Sequence, residues 1–399
     1  MIFLKIGIIA EYNPFHNGHV YHIEEIKRRY PASSIVLVMS GNFTQRGLVS
    51  IMDKWDKVYL ALKYGVDLVI ELPFPFATQS ADIFASGAIF LLKEMGVEKL
   101  IFGSEENNIE KLYNLAKKQL DSSYEKRVQS YLNLGENYPT AMNKALKDLA
   151  KDEVKSPNDL LGLSYVKEII KQHANIDVET IQRTNSYHDE ELTKNISSAT
   201  SIRKHLSEKK NIEGQVPKEA LEILKNRVFL QEDYFKFLKY QIYRSDNLRK
   251  YLGVDEGIEN KILKTIDSAT SLDDLIQKTK SKRYTYNRML RMYNHILTGF
   301  TKEMAQVYQV PKYIRVLGFT NVGKSILKEQ KKKTTVPIVT KFMSNEGGLL
   351  LEKKVTSIYA SILPNEYQEQ LIKKEYQMPP ITIKKTEVLN SCIKQIDNK

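Results

Sequence analysis

Lys5–His19 reads KIGIIAEYNPFHNGH, and the fold turns on this stretch. KIGIIA (5–10) is a short apolar run of the kind that forms a buried strand. A polar loop with Pro14 follows, and the pattern from about Asn17 to Tyr30 is that of an amphipathic helix. In an open parallel sheet, ligands bind beyond the carboxyl ends of the strands, so the loop after this strand is where chemistry is expected. Gly18 lets the backbone approach a ligand closely. The helix beginning there aims unpaired N–H groups and the positive end of its dipole at the same spot. His16 and His19, three residues apart, can both face it. The arrangement suits phosphate.

Working outward, strand-like runs alternate with helix-length segments. SIVLVMS (34–40), VDLVIEL (66–72) and EKLIFGS (98–104) read as further strands, with helices predicted from about Asp53 to Tyr64 and Ser80 to Met95. A helical insertion spans about 107–173, IDVETIQR (176–183) is a fifth strand, and SATSIRKHL (198–206) opens another helix. Such alternation implies an α/β fold with a Rossmann-like parallel sheet and right-handed crossovers. From about residue 211 helical periodicity dominates to roughly Tyr308, and the rest is mixed and basic, with EQKKKTTVP (329–337) as an exposed loop. The expected division is therefore a catalytic region over 1–210 and a mainly helical, basic region over 211–399.

Composition narrows the function classes. The 399 residues include a single cysteine, Cys392, which excludes an intramolecular disulfide and a cysteine metal cluster. The apolar runs are far shorter than the roughly 20 residues of a membrane span, and the amino terminus lacks a signal pattern. A cytoplasmic protein without membrane contact is expected. Net charge is +12, and Ser271–Phe342 alone holds 15 Lys/Arg against 4 Asp/Glu. An excess so concentrated favours nucleic acid as partner.

Several motifs occur in a set order: EYNPFHNGH (11–19), SGNFTQRG (40–47), ELPFPFATQSA (71–81), FGSE (102–105), PNDLLGLSYVK (157–167) and SATSIRK (198–204). His16-Asn17-Gly18-His19 resembles the H-x-G-H signature of the HIGH-type nucleotidyltransferases. Together with KRYTYNRMLRMYNHIL (282–297) and YIRVLGFT (313–320), the set resembles the bacterial tRNA(Met) cytidine acetate ligase family over nearly the whole chain. The resemblance implies two steps. Acetate and ATP give acetyladenylate and pyrophosphate, and the acetyl group then passes to N4 of the wobble cytidine of elongator tRNA(Met). ATP is then a substrate accompanied by Mg2+, with no tightly bound cofactor, no metal-ligating residues and no protein partner implied.

The resemblance also assigns residues. His16 and His19 become donors to the α- and β-phosphates. The ATP-binding run is Gly7, Ile8, Ile9, Ala10, Glu11, Tyr12, Asn13, Pro14, Phe15, His16, Asn17, Gly18, His19 and Val20, joined by Gly103, Asn158 and Arg183. SATSIR (198–203) resembles the S-[ST]-T-x-x-R element of the superfamily, giving Ser198 and Thr200 to the phosphates and Arg203 a catalytic fixed charge. Arg46 in SGNFTQRG suits a carboxylate or a phosphate. Pro14, Phe15, Phe43 and Phe74 are plausible walls of an acetate pocket, and Glu11, Asp189 or Glu105 could serve as a base for acyl transfer.

In the basic segment, Met289, Tyr293, Ile296 and Phe300 form one stripe of a helix, and Tyr284, Arg288, Arg291 and His295 share another face. An aromatic and arginine face suits phosphates and unstacked bases, with Lys280, Lys282 and Arg283 leading into it. GFTNVGKS (318–325) matches the P-loop letter for letter. Only about seventy-five residues follow it, and TVPIVTKF (335–342) lacks the aspartate that would hold magnesium, so Lys324 is assigned to RNA backbone instead. Two other functions use subsets of these features. A cofactor-forming adenylyltransferase would need the histidines without the basic half, and an RNA-binding protein with a vestigial nucleotide fold would not need the histidines.

Overall fold

The computed structural model describes residues 4–183, 197–343 and 347–384. Its centre is a sheet whose first five strands are β1 (Leu4–Ala10), β2 (Ser33–Ser40), β3 (Leu68–Leu72), β4 (Lys99–Ser104) and β5 (Asp177–Gln182). They lie in the order β5-β4-β1-β2-β3, with every neighbouring pair parallel. The chain runs outward from β1 through β2 to β3, then returns to the other side of β1 for β4 and β5. The strand order reverses beside β1, so the loops after β1 and β4 open onto the crevice where such sheets take their ligands. All five strands fall within two residues of their predicted spans.

Alternation within β2 shows why the sheet is covered on both faces. Ile35, Leu37 and Met39 join one core cluster, and Val36 and Val38 the other. Helices Asn17–Arg29 and Lys54–Lys63 cover the first face. Helices Ala81–Glu94 and Pro157–Lys171 cover the second, with the insertion helices packed behind. Among the described residues no helix is long and apolar enough to cross a membrane.

The mixed carboxyl-terminal third comes back to the sheet. β6 (Ile314–Thr320) pairs antiparallel with β3, and β7 (Ile338–Val339) and β8 (Ile381–Ile383) pair with β6. A buried ionic cluster fixes this attachment. Lys54 Nζ lies 2.5 Å from Glu71 and 2.9 Å from Glu375, and Arg315 bonds both Glu71 and Glu375. Glu352 accepts from the Phe74 N–H at 2.6 Å. Burial, with Glu71 nearby, raises the Glu352 carboxyl to about 8. Burial would also raise Glu375, but Arg315 and Lys54 hold it near 2. The first core cluster likewise contains residues from both sides of position 210, from Ile6 to Leu371.

The P-loop look-alike is explained here. Gly318 and Thr320 belong to β6, and helix Asn321–Gln330 follows at once with Thr320 as its cap, so no loop remains to cradle phosphate. Gly323 is required by packing, since a Cβ there would stand 2.0 Å from the Asp67 carbonyl oxygen. Because β6 is antiparallel, its carboxyl end lies at the amino end of β3, where Leu68 pairs Phe319. Lys324 therefore sits at the edge of the sheet opposite the loop that follows β1.

Candidate active site

The loop after β1 closes on itself before it meets any ligand. His16 is the cap of helix Asn17–Arg29, its Nδ1 accepting the Gly18 N–H at 3.0 Å. His19 Nδ1 accepts the His16 N–H at 3.2 Å. The two rings lie 3.8 Å apart between centroids. Tyr12 packs on His19 and on Phe15. Burial, aided by Arg183 and Arg203, lowers His16 to about 3; burial, aided by His16 and His22, also depresses His19. Both rings are thus neutral near pH 7, and with Nδ1 accepting in each, the hydrogen is assigned to Nε2. Capping uses one nitrogen of each ring and leaves Nε2–H as a donor toward the cavity. The structural and chemical roles of the histidines coexist.

Both rings line a cavity of about 1160 Å³. From the β1 loop it also receives Ile9, Ala10, Glu11, Tyr12 and Asn13. Gly103, Asn158 and Arg183 enter from the β4 and β5 side. Arg183 lies against Gly103, where a Cβ would come within 3.2 Å of its side chain, and 3.5 Å from Glu105. Asn158 donates to Glu105. The cap of helix Pro157–Lys171 is Ser156, so Asn158 sits two residues further in, lining the cavity instead of capping. A second helix start, Ala199–Ser207, brings Ser198 and Arg203. Ser198 accepts from the Ser201 N–H at 3.1 Å, and Arg203 donates to the Asn13 carbonyl oxygen at 2.7 Å and to Thr200 Oγ1 at 3.1 Å. Side chains at the starts of two helices therefore line one cavity, with the Arg203 charge among them.

Other members of the predicted run support the loop from outside the cavity lining. Gly7 is a packing residue, with a Cβ there 3.0 Å from Leu92 and Val97. Ile8, Pro14 and Phe15 are buried, and Val20 packs against the core. Asn17 holds the Gly214 carbonyl oxygen at 2.7 Å. Gly18 spends its N–H on His16, and Thr200 accepts from Arg203. Phe43 and Phe74 are core residues packed edge to face, Phe43 on Phe74 and Tyr359 and Phe74 on Phe300, so with Pro14 and Phe15 they do not wall a pocket.

The carboxylates differ in reach. Glu11 accepts the Gln45 N–H at 2.5 Å; burial raises its pKa, opposed by that bond and by Arg46, Lys57 and Arg203. Below it the fully buried Lys57 donates to the carbonyl oxygens of Glu11 (3.0 Å), Ser40 (2.9 Å) and Gly41 (2.6 Å), tying the ends of β1 and β2 together. Burial lowers Lys57 to about 7. Glu105 is occupied by Asn158 and Arg183. Asp189 lies outside the described residues.

The basic segment reaches the same cavity through Arg283, Arg288 and Arg291. Helix Tyr286–Thr298 buries Met289, Tyr293 and Ile296 as the stripe predicts, and Phe300 beyond its end. Its other face is not uniformly open. Tyr284 and His295 are buried, with His295 between the carbonyl oxygens of Leu252 and Thr78. Arg291 is half-buried and donates to the Gln45 carbonyl oxygen at 3.3 Å, while Arg288, also half-buried, stacks on Tyr284 at 3.9 Å. Lys282 pairs with Glu136 of the insertion at 3.2 Å. Lys280 and Lys282 are exposed and outside the cavity lining, and so is Lys324. The sequence reading missed His22, three residues beyond His19, and the stretch Gln79–Asp82, both of which line the cavity. The three-residue spacing was the available signal for His22; for Gln79–Ala81 it was the motif ELPFPFATQSA.

A profile of the HIGH Nucleotidyl Transferase family matches residues 4–375. The tRNA(Met) cytidine acetate ligase of Anoxybacillus flavithermus is 41% identical over 397 residues, covering 94% of this chain and 99% of that protein. The Clostridium acetobutylicum enzyme of the same name is 40% identical, covering 89% and 95%. The crystal structure of apo Thermotoga maritima TmcAL superposes with a TM-score of 0.88 at 30% identity, over 95% of this chain and 99% of that one. The same protein bound with alpha-thio ATP gives 0.84 at 31% identity, with the same coverage.

Proposed function

Because the chain belongs to the tRNA(Met) cytidine acetate ligases of the HIGH nucleotidyl transferase family, we infer that it is an ATP-dependent ligase that acetylates tRNA. Acetate and ATP form acetyladenylate and pyrophosphate. The acetyl group then moves to N4 of the wobble cytidine of elongator tRNA(Met), releasing AMP. One observation carries this reading: the histidine loop, the second helix start and the arginines of the basic helix open on one cavity. Nucleotide chemistry and RNA contact thereby share one space.

In the first step a carboxylate oxygen attacks the α-phosphorus while pyrophosphate leaves. Such a step needs positioning and charge neutralisation more than covalent help. The Nε2–H groups of His16 and His19 donate to phosphate oxygens, and Arg203 adds a fixed positive charge at the second helix start. Gly103 passes beneath the adenosine, flanked by Arg183 and Asn158. Mg2+ arrives on the triphosphate, held by phosphate oxygens and water. In the second step the cytosine amino group attacks the acetyl carbonyl. The target nucleotide must leave its stack to reach the cavity. Arg283, Arg288 and Arg291 guide the RNA at the cavity, and Lys280 and Lys282 add attraction from the surface. Residues 1–210 thus supply the adenylate chemistry, and 211–399 supply the RNA contacts together with the outer strands of the sheet. A tRNA substrate places the enzyme in the cytoplasm.

Incubation of the purified protein with radiolabelled acetate, ATP and bacterial tRNA tests the reading. Label in N4-acetylcytidine, dependent on ATP and absent from His16→Ala, is the expected result. AMP joined to a small molecule, with no label in RNA, would replace it with a cofactor-forming adenylyltransferase.

A further inference from the structure

Sheet order divides the cavity in two. The histidine loop stands at the end of β1, in the middle. On one side β4 and β5 contribute Gly103 and Arg183, the nucleotide residues. On the other side the ends of β2 and β3 lead to Gln45, Arg46 and Gln79–Asp82. Displacement at the α-phosphorus requires the nucleophile to stand opposite the departing pyrophosphate. The β2 side is the flank of the histidine loop away from Gly103 and Arg183, and Arg46 is a cation on it.

The turn that carries Arg46 is held from four directions. The Gln45 N–H donates to Glu11 at 2.5 Å, and Gln45 Nε2 donates to the Gln79 carbonyl oxygen at 2.9 Å. Arg291 donates to the Gln45 carbonyl oxygen at 3.3 Å, and Asn294 to the Gly47 carbonyl oxygen at 2.7 Å. Gly47 has a φ of +81°, and a Cβ there would stand 2.4 Å from the Arg291 nitrogen. So firm a mounting on a surface turn is what a side chain needs when its head group must be placed to within a fraction of an ångström.

We propose that Arg46 binds the carboxylate of acetate; the assignment rests on the acetate-ligase reading above. A guanidinium presents two parallel N–H groups to a carboxylate and offsets its repulsion by the triphosphate. One carboxylate oxygen attacks the α-phosphorus, forming the C–O–P bond. The bond from that phosphorus to the bridging oxygen breaks, and its electron pair leaves with pyrophosphate; no proton moves. The other oxygen stays on Arg46 and becomes the acetyl carbonyl. When the cytosine N4 adds to that carbonyl, the same guanidinium faces the negative charge that collects on the oxygen.

Acetate-dependent pyrophosphate exchange in wild type, Arg46→Gln and Arg46→Lys tests this, alongside equilibrium binding of ATP and of tRNA. Arg46→Gln is expected to raise the KM for acetate by about 10- to 100-fold, tenfold being 1.4 kcal/mol. ATP and tRNA affinities should stay within about twofold, against the tenfold or greater loss that a severed charge-assisted contact produces. Arg46→Lys should recover part of the loss, and guanidinium ion should partly rescue Arg46→Ala, which a merely structural role would not allow. An unchanged acetate KM overturns the assignment, whether ATP affinity falls instead (a phosphate contact) or tRNA affinity falls (an RNA contact). A wild-type protein with no acetate-dependent exchange overturns the acetate-ligase reading itself, and this assignment with it.

Discussion

The loop Ala10–His19 and the segment Lys278–Phe300 both bring polar side chains to one cavity, and they are built in opposite ways. In the loop, each histidine is fixed by a backbone N–H of the same short stretch, and burial keeps both neutral. In the basic segment, position along the helix does not tell what a cation does. Arg291 is turned inward onto a turn 246 residues away in sequence, Lys282 ahead of the helix is paired with Glu136, and Arg288 lies half-buried over a tyrosine. Local geometry thus sets the chemistry of the loop, whereas tertiary contacts decide which charges of the basic segment meet RNA. A charge count measures attraction at long range, not the number of contacts.

Several substitutions would break or sharpen this contrast. The largest effect is expected from Arg315→Met. Removing one partner from the buried cluster leaves Glu71 and Glu375 poorly compensated and should cost about 3–5 kcal/mol. Urea unfolding should remain a single transition, because β6 belongs to the same sheet as β3; two separate transitions would show that the two regions are independent after all. Next is His16→Ala, which removes a donor to the developing phosphate charge. Pyrophosphate exchange should slow by about 10²–10³-fold, with tRNA affinity unchanged.

Gly47→Ala should be smaller, about 1–3 kcal/mol, from a side chain forced into a left-handed backbone against helix Tyr286–Thr298. Because that turn joins the two regions, both steps of the reaction should weaken, and loss of only one would uncouple them. Arg288→Ala should weaken tRNA binding only a few-fold, reducing the slope of log affinity against log salt by about 1. Acetyladenylate formation should not change.

The smallest effect is on stability near neutral pH. Burial depresses His16 to about 3 and His22 to about 4, from 6.5. The unfolded chain therefore binds protons that the folded chain refuses. Stability is fully present above the unfolded value and falls as pH drops toward the folded values. From pH 7 to 6 the loss is about 0.7 kcal/mol per histidine. Urea titrations of wild type and His22→Met should converge as pH falls; parallel curves would contradict the buried neutral state.

The contrast also explains what could be read from the sequence. β1–β5 were legible because each is a short apolar run between helix-length segments, and both faces of the sheet are covered. The histidine pair was legible because its cap, its glycine and its second ring lie within a few residues. β6 was less so, since its pairing with β3 joins residues some 245 positions apart. Phe43 and Phe74 looked like pocket walls beside a motif, yet packing against Tyr359 and Phe300 makes them core. The burial of His295 and Arg291 depends on the carbonyl oxygens of Thr78 and Gln45, which helical periodicity does not reveal. The P-loop pattern failed for a related reason: eight letters matched, but the first three belong to a strand and the rest to a helix.

The most direct test separates the two steps in time. Enzyme, ATP and labelled acetate are mixed without tRNA, the bound product is isolated, and tRNA is then added in a single turnover. The account predicts that acetyladenylate forms before tRNA arrives and that the label then moves to cytidine N4. His16→Ala should block the first event, and Arg288→Ala should slow only the second. Absence of any adenylate without tRNA, or equal loss of both events in both variants, would contradict a cavity in which one region performs the activation and the other presents the RNA.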